Sequence, residues 1–433
     1  MALTTIKKII AAEISNHSPY FSKCIQVCPR VEDEGNLFFF IKNQYKKVIN
    51  NINEMQNYTA NGEDTLFILN STFNFNFDIQ GLLNNIKNQL NRTCRLTIVA
   101  YNPYLRFLYS LASLLGLRKG AVPTTFLTKI DLTNLCSLSG FEIVKSIPVA
   151  FLPLPIIGIY LDKILRNIPL LNLFSIAQVL ILRPIIPEKE LPSLSIIIPA
   201  RNEKGNIESA LIRLEGFAKH TPIEVIFVEG HSNDGTWEEI ARVVPLYANK
   251  FKKIQSFQQS GKGKNDAVRL GFTNASCELL TILDADLTMP PELLPRFYSS
   301  YCKGNADFIN GNRLLYPMEG EAMRFLNHLG NIFFAKALSF VLNVRIGDSL
   351  CGTKLVSAKD YKRFCSWRTK FGDFDPFGDF ELIFPASVLC LGIIDIPIRY
   401  KARTYGETNI SRFRHGLILL KMTLIGFFKI KLA

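Results

Sequence analysis

Residues 278–292 read ELLTILDADLTMPPE, and an apolar run from Leu279 to Leu283 breaks off there at two carboxylates one residue apart. A short apolar run bounded by polar and Pro-rich sequence reads as a buried strand. Two carboxylates at the tip of such a strand are costly unless something positive meets them. In an extended chain alternate side chains lie on one side, so Asp284 and Asp286 are expected to converge beyond the strand's carboxyl end. A hard divalent cation that also carries phosphate oxygens suits that place. A strand followed by an acidic, Pro-rich turn gives the same tripeptide without any ligand, and Asp-X-Asp alone does not separate the two readings.

The same pattern recurs upstream. Residues 194–203 (LSIIIPARNE) form a β-branched run cut off by Pro199. Residues 223–236 (IEVIFVEGHSNDGT) form a second, ending at Glu229 in a Gly- and Asn-containing turn. Acidic residues in the first turn after Asp234-Gly235-Thr236 mark a helix start. Gly261-Lys262-Gly263-Lys264 leads into a further helix. Strands alternating with helices imply an α/β fold with a mostly parallel sheet covered on both faces. Ligands of such sheets sit beyond the carboxyl ends of the strands.

This ordered set resembles the inverting glycosyltransferases of family 2, which have the GT-A nucleotide-sugar transferase fold. The likeness is to the branch of dolichol-phosphate mannosyltransferases and polyprenyl-phosphate glycosyltransferases. That family reads roughly PAYNE, VDDGSTDGT, GKG and DADLQHPPE; here the matching stretches are Pro199–Glu203, Val228–Thr236, Gly261–Gly263 and Asp284–Glu292. Downstream, Asn310-Gly311-Asn312-Arg313, Arg324 with Gly330-Asn331, and Glu381, Pro397, Arg403, Gly406, Glu407 and Thr408 continue the match. The likeness covers about residues 192–415.

The resemblance implies a nucleoside-diphosphate sugar as donor, a polyprenyl phosphate as acceptor, and Mg2+ or Mn2+ as cofactor. It assigns the nucleotide pocket to Pro199, Ala200, Glu203, Glu229, Lys262 and Asp284, and the metal to Asp286 with Thr288. It places Arg313 and Arg324 on the acceptor phosphate and Arg403 near the donor phosphates. An already anionic phosphate acceptor needs cations rather than a general base, and the planar fork of Arg suits it. A hydroxyl acceptor would need a base within hydrogen-bond reach, for which Asp379 or Glu381 is the candidate. A third reading keeps nucleotide-sugar binding without catalysis. Four departures bear on the base, the sugar and the metal: Arg201 in place of Tyr, Gly230-His231 in place of Asp-Gly, Thr288 in place of Gln, and Asn409 in place of Lys. Phe371–Glu381 (FGDFDPFGDFE) is either an acceptor-side loop or a turn before a helix starting near Asp379. Cys351 reads as a small buried residue and His231 as a turn residue.

Residues 1–190 differ in character. Asp64–Asn70, Cys94–Ala100, Phe141–Val149 and Ala177–Leu182 read as strands, and Asp78–Leu90 as a helix. With Ser139-Gly140-Phe141-Glu142, this resembles the latter half of a class I S-adenosylmethionine-dependent methyltransferase. Before Asp64 only Gly35 and Gly62 occur, so the Gly-rich cofactor loop of that family has no counterpart. Ile9–Asn16, carrying Glu13, is read as its second strand. The expected organisation is a degenerate, partial Rossmann-like domain over 1–185, a linker over 186–192, the GT-A domain over 193–415 and an apolar, basic helix over 416–433.

A net charge of +13 calls for an anionic partner. No nucleic-acid motif occurs, while residues 399–433 carry eight Lys and Arg against one acid, Glu407, which favours a membrane surface. Gly416–Phe428 is apolar but interrupted by Lys421 and short of the ~20 residues of a span. It reads as an interfacial helix or as a core helix. Nine cysteines without C-x-x-C spacing suit reduced thiols. With no signal peptide in evidence, a peripheral position on the cytosolic face is expected.

Overall fold

A computed structural model of the chain describes residues 2–29, 36–59, 62–116, 121–152, 154, 157–317, 325–371, 378–403, 405 and 412–432. Two compact units emerge, the first over Met1–Ile186 with two short later segments, the second over Pro187–Ser387 and Leu391–Phe428.

The first unit is built on six strands: β1 Lys23–Val27, β2 Lys46–Ile49, β3 Thr65–Asn70, β4 Arg95–Tyr101, β5 Phe141–Val149 and β6 Ala177–Pro184. Their order is β2-β1-β3-β4-β6-β5. The first four run parallel, and β6 is antiparallel to both β4 and β5. The period-2 alternation of β3 sorts its side chains between two layers. Phe67 and Leu69 pack with Leu83 and Ile86 of the helix Ile79–Lys87, while Leu66 and Ile68 pack with Ile10 and Ile14. Glu13 is not on a strand: Ile9–Asn16 falls largely in the helix Ala2–Ser15. The reason is spacing, because Ile6, Ile10 and Ile14 recur every fourth residue and form one helical stripe. Sequence reasoning also passed over β1 and β2, which are short; two of the four residues of β2 are exposed lysines.

The second unit holds seven strands: β7 Leu194–Ala200, β8 Ile223–Glu229, β9 Lys253–Gln258, β10 Leu279–Ile282, β11 Phe308–Asn312, β12 Lys354–Ser357 and β13 Ile393–Pro397. The order is β13-β11-β12-β10-β7-β8-β9. Only β12 runs against its neighbours, β10 and β11. This is the expected mixed α/β arrangement with a mostly parallel sheet. Helices Lys204–Ala218, Thr236–Tyr247 and Lys264–Asn274 link the parallel strands β7, β8, β9 and β10. Ile196, Ile198, Val225 and Phe227 are fully buried against Ile207, Leu211 and Leu214 of the first of these helices. Each such side chain contributes roughly 1.5–3 kcal/mol by leaving water. That core fixes the carboxyl ends of β7, β8 and β10 side by side: Ala200 pairs with Glu229, and Ile197 with Ile282.

The helix Arg412–Gly426 ends in a short π-helical turn, Phe427–Lys431. Leu419 and Met422 are buried, while Leu417, Leu420, Leu424 and Phe428 are exposed. Phe427 stacks on Phe340 of the helix Phe325–Leu342, 6.5 Å between centroids. No described helix is long and apolar enough to cross a membrane.

Candidate active site

The tip of β10 does not continue as a strand. Leu283 still bonds Ile197 O, but Leu287 N–H turns back to Asp284 O at 3.1 Å, and Leu287 takes a left-handed φ of 51°. Asp284 and Asp286 therefore lie in a tight turn, not on alternate positions of an extended chain. The turn is closed by Thr288, whose backbone N–H and hydroxyl both donate to Asp286 Oδ1, at 3.1 and 2.8 Å. Thr288 is buried, and its hydroxyl is spent on orienting Asp286.

Each carboxylate meets a cation. Lys264, in the first turn of its helix, pairs with Asp284. Arg403 Nη2 donates to Asp286 Oδ2 at 2.6 Å. The segment bearing Arg403 is anchored by Lys401 N–H to Thr288 O at 3.0 Å, so one turn holds both members of the Arg403–Asp286 pair. Burial works against the Lys264 ammonium, yet Asp284, Asp379 and Asp286 outweigh it and raise its pKa. Its side chain is 38% exposed, so solvent screens part of this. Burial likewise opposes the Asp284 carboxylate, and Lys264, Arg313 and Lys354 overcome it, lowering its pKa. Lys262, the lysine singled out from sequence, is exposed; Lys264 is the one that reaches the Asp pair. Gly352 makes room for that pair, because a Cβ there would collide with Lys264 Nζ and Asp284 Oδ2.

At the tips of β7 and β8, Glu203 and Glu229 are buried. Glu229 Oε1 accepts Ser232 N–H at 2.5 Å, and Ser232 Oγ accepts Asn202 N–H at 2.9 Å. Asp234 caps the turn by accepting from Thr236 and from Lys204 N–H, and Gly235 at φ 86° lets the chain enter the helix. Tyr405 Oη donates to Asp234 at 3.2 Å. Glu203 lies 3.8 Å from Arg403 Nη1 and accepts from Asn206 at 2.7 Å. Burial, with Asp286 and Asp234 nearby, pushes its carboxyl up to about 7 despite Asn206 and Arg403. Ala200 is buried and Pro199 half-buried beside these acids. His231 bonds Gly261 O at 2.9 Å, tying the β8 turn to the GKG loop.

Arg313 is committed elsewhere. Its Nε and Nη2 form a fork on Asp348, at 2.6 and 3.0 Å, and its guanidinium lies 5.3 Å from the Tyr400 ring centre. Asp348 is fully buried, and Arg313 outweighs that burial to lower its pKa. Lys354, also buried, donates to Asp379 Oδ1 at 2.6 Å and to Cys351 O. Glu381 is gripped in two places by Arg269. Burial pushes the Cys351 thiol up to about 12, so it stays protonated and is no nucleophile. Arg324, Gly406, Glu407, Thr408 and Asn409 lie outside the described residues, as do Asp373 and Asp375.

Among the described residues no three or more His, Cys, Asp or Glu side chains are grouped to hold a metal unaided. The oxygens of Asp284 and Asp286, already facing two cations, fit an ion of the Mg2+ or Mn2+ kind that binds through one or two carboxylates plus substrate phosphates. The remaining ligands would come from the substrate.

Residues 195–364 match a family model described as glycosyl transferase family 2. A dolichol-phosphate mannosyltransferase of Pyrococcus furiosus is 32% identical over 135 residues, 31% of this chain and 37% of that protein. A dolichyl-phosphate hexose transferase of Haloferax volcanii is 27% identical over 228 residues, 53% of this chain and 91% of that protein. An undecaprenyl-phosphate 4-deoxy-4-formamido-L-arabinose transferase of Aeromonas hydrophila is 30% identical over 25% of this chain and 34% of its own. The chain thus spans little more than a third of the first and the last of these relatives. Glucosyl-3-phosphoglycerate synthase of Mycobacterium tuberculosis is a looser structural likeness: TM-score 0.40, 14% identity, 55% of this chain and 80% of that chain.

Proposed function

We propose that this chain, whose residues 195–364 match the model of glycosyl transferase family 2, moves a sugar, with inversion, from a nucleoside-diphosphate sugar to a polyprenyl phosphate at a cytosolic membrane face. The observation that carries this reading is the meeting of Asp286, Arg403 and Glu203 beyond the carboxyl ends of β7 and β10. The names of the dolichyl- and undecaprenyl-phosphate relatives support the acceptor class.

Pro199, Ala200, Glu203 and Glu229 line the place for the base and ribose, and Lys262 stands on the exposed loop at its mouth. Mg2+ or Mn2+ held by Asp286, with Asp284 beside it, would neutralise charge on the leaving diphosphate. Arg403 sits where such a charge would develop. Arrival of the diphosphate would draw its fork from Asp286 to the phosphate oxygens, which it can bind in pairs. Lys264 keeps Asp284 ionised and adds positive charge on the same side.

The state of the acids favours a phosphate acceptor over a hydroxyl. Asp379 is engaged by Lys354 and Glu381 by Arg269, so both candidate bases are held in ion pairs. A phosphate anion needs neither. Arg324 and the remaining donors of Arg313 are the proposed acceptor-side cations. Membrane contact through the exposed Leu417, Leu420, Leu424 and Phe428 would bring a lipid phosphate to the site.

The test is to offer the full chain UDP- and GDP-sugars with undecaprenyl phosphate or with a saccharide acceptor, across a metal titration. Metal-dependent transfer to the lipid phosphate with an inverted anomeric centre is expected. Transfer to the saccharide alone would move the acceptor to a hydroxyl. Metal-dependent nucleotide binding without any turnover would leave only a binding protein.

A further inference from the structure

The topology of the first unit gathers three apolar segments at one edge of its sheet. Tyr101, at the carboxyl end of β4, pairs with Ala177, where β6 begins. Val149, at the carboxyl end of β5, pairs with the same Ala177. The connections that leave β4 and β5 and the one that enters β6 therefore all sit at this edge. They are tied there. The buried Asn102 donates from its amide to Leu173 O at 3.1 Å and Ser175 O at 2.8 Å, and Tyr109 Oη donates to Ile176 O at 2.5 Å. Phe151 N–H donates to the buried Asp162 at 3.0 Å, which fixes the helix Ile157–Leu165 to the end of β5.

What these segments present outward is apolar. On the helix Arg106–Leu114, Phe107 is 67% and Leu114 84% exposed; Tyr160 is 67%, Leu170 78% and Phe174 62% exposed on the other segments. Large side chains left in water over one contiguous edge mark an interaction surface. A core residue accidentally exposed would stand alone.

The charge around this edge selects the occupant. From Ile79 to Ile130 the sequence has no acidic residue, and from Lys145 to Pro187 only Asp162, which is buried. Among the described residues the same stretches carry Arg106, Lys129 and Lys163, and Asp131 is the exposed acid beside Lys129 on the helix Lys129–Leu138. Arg106 is exposed and lies 5.6 Å from the Phe126 ring centre, and Lys129 is exposed. Apolar side chains accompanied by more exposed cations than acids complement an anionic bilayer, where the apolar groups enter the acyl boundary and the cations meet headgroups.

We propose that this edge of the first unit is a membrane-docking face for anionic lipid. The inference stands on the first unit alone and does not depend on the reaction of the second.

The test uses the full chain with its C-terminal helix intact. Leu114→Glu, Leu170→Glu and Phe174→Glu, combined, are compared with wild type for co-sedimentation with phosphatidylcholine vesicles, with and without phosphatidylglycerol. The expected result is binding that requires phosphatidylglycerol and falls at least about tenfold in the variant, with nucleotide binding unchanged. A separate Leu114→Trp chain reports insertion: brominated lipids should quench its fluorescence beyond that of wild type, whose tryptophans are Trp237 and Trp367. Undiminished vesicle binding by the triple variant, or no added quenching from Trp at 114, overturns the proposal. So does a wild-type dimer that the triple variant dissolves while vesicle binding persists, since the face would then join two copies.

Discussion

Arg403 reaches Asp286 at 2.6 Å although 117 residues separate them in sequence, and Thr288 ties the two segments, donating to the Asp286 carboxylate and accepting Lys401 N–H. A cation already occupies the carboxylate assigned to the metal. In the proposed reaction Arg403 exchanges Asp286 for the donor phosphates. Arg403→Gln should then weaken nucleoside-diphosphate binding by roughly ten- to a hundredfold, the loss of a charge-assisted hydrogen bond of about 1.5–3 kcal/mol. Calorimetry with UDP or GDP checks it. Unchanged affinity would show that Arg403 only shields Asp286.

Glu203 carries a pH signature. Its carboxyl moves from an ordinary 4.5 up to about 7, so the folded state holds that proton more tightly than the unfolded chain. Below about pH 4.5 both states are protonated and nothing is lost. Raising the pH from there to about 7 removes stability progressively, and above it the full cost remains. Glu203→Gln has no proton to lose, so its Tm should gain on wild type across this window. Thermal melts at matched ionic strength measure the difference. A constant gap between the two proteins would contradict the burial account.

Arg313 and Asp348 form a buried fork. Removing one partner leaves the other charge buried and unpaired, at about 3–5 kcal/mol. Arg313→Ala and Asp348→Asn should each lower the urea midpoint, and the double variant should cost less than their sum. An unchanged midpoint with lost lipid-dependent turnover would instead put Arg313 wholly on the acceptor.

The strand tips were legible because buried β-branched runs end abruptly in sequence. Leu194–Ala200, Ile223–Glu229 and Leu279–Ile282 all lie where the apolar runs stop. What followed the tips was less legible. The turn at Asp284–Leu287 depends on Leu287 adopting a left-handed φ, for which the sequence has no glycine or asparagine to signal it. Lys264 was overshadowed by the GKG pattern, yet the first helical turn after Gly263 aims it, rather than Lys262, at Asp284. The Arg313–Asp348 pair was hidden because ion pairing across 35 residues leaves no periodic trace. In the first unit, a helical stripe of isoleucines passed for a strand at Ile9–Asn16, since a short apolar run satisfies both periods.

Asp286→Asn tests the central claim most directly, because it removes the negative charge while nearly keeping the shape. Thr288 N–H and hydroxyl can still donate to the amide oxygen, so circular dichroism should show a folded protein. Donor turnover across a magnesium and manganese titration is the measurement. The account predicts a fall of at least about a hundredfold, on the scale of losing one strong electrostatic stabiliser, together with loss of metal dependence in donor binding. A folded Asp286→Asn protein with wild-type turnover and an unchanged metal response would contradict it.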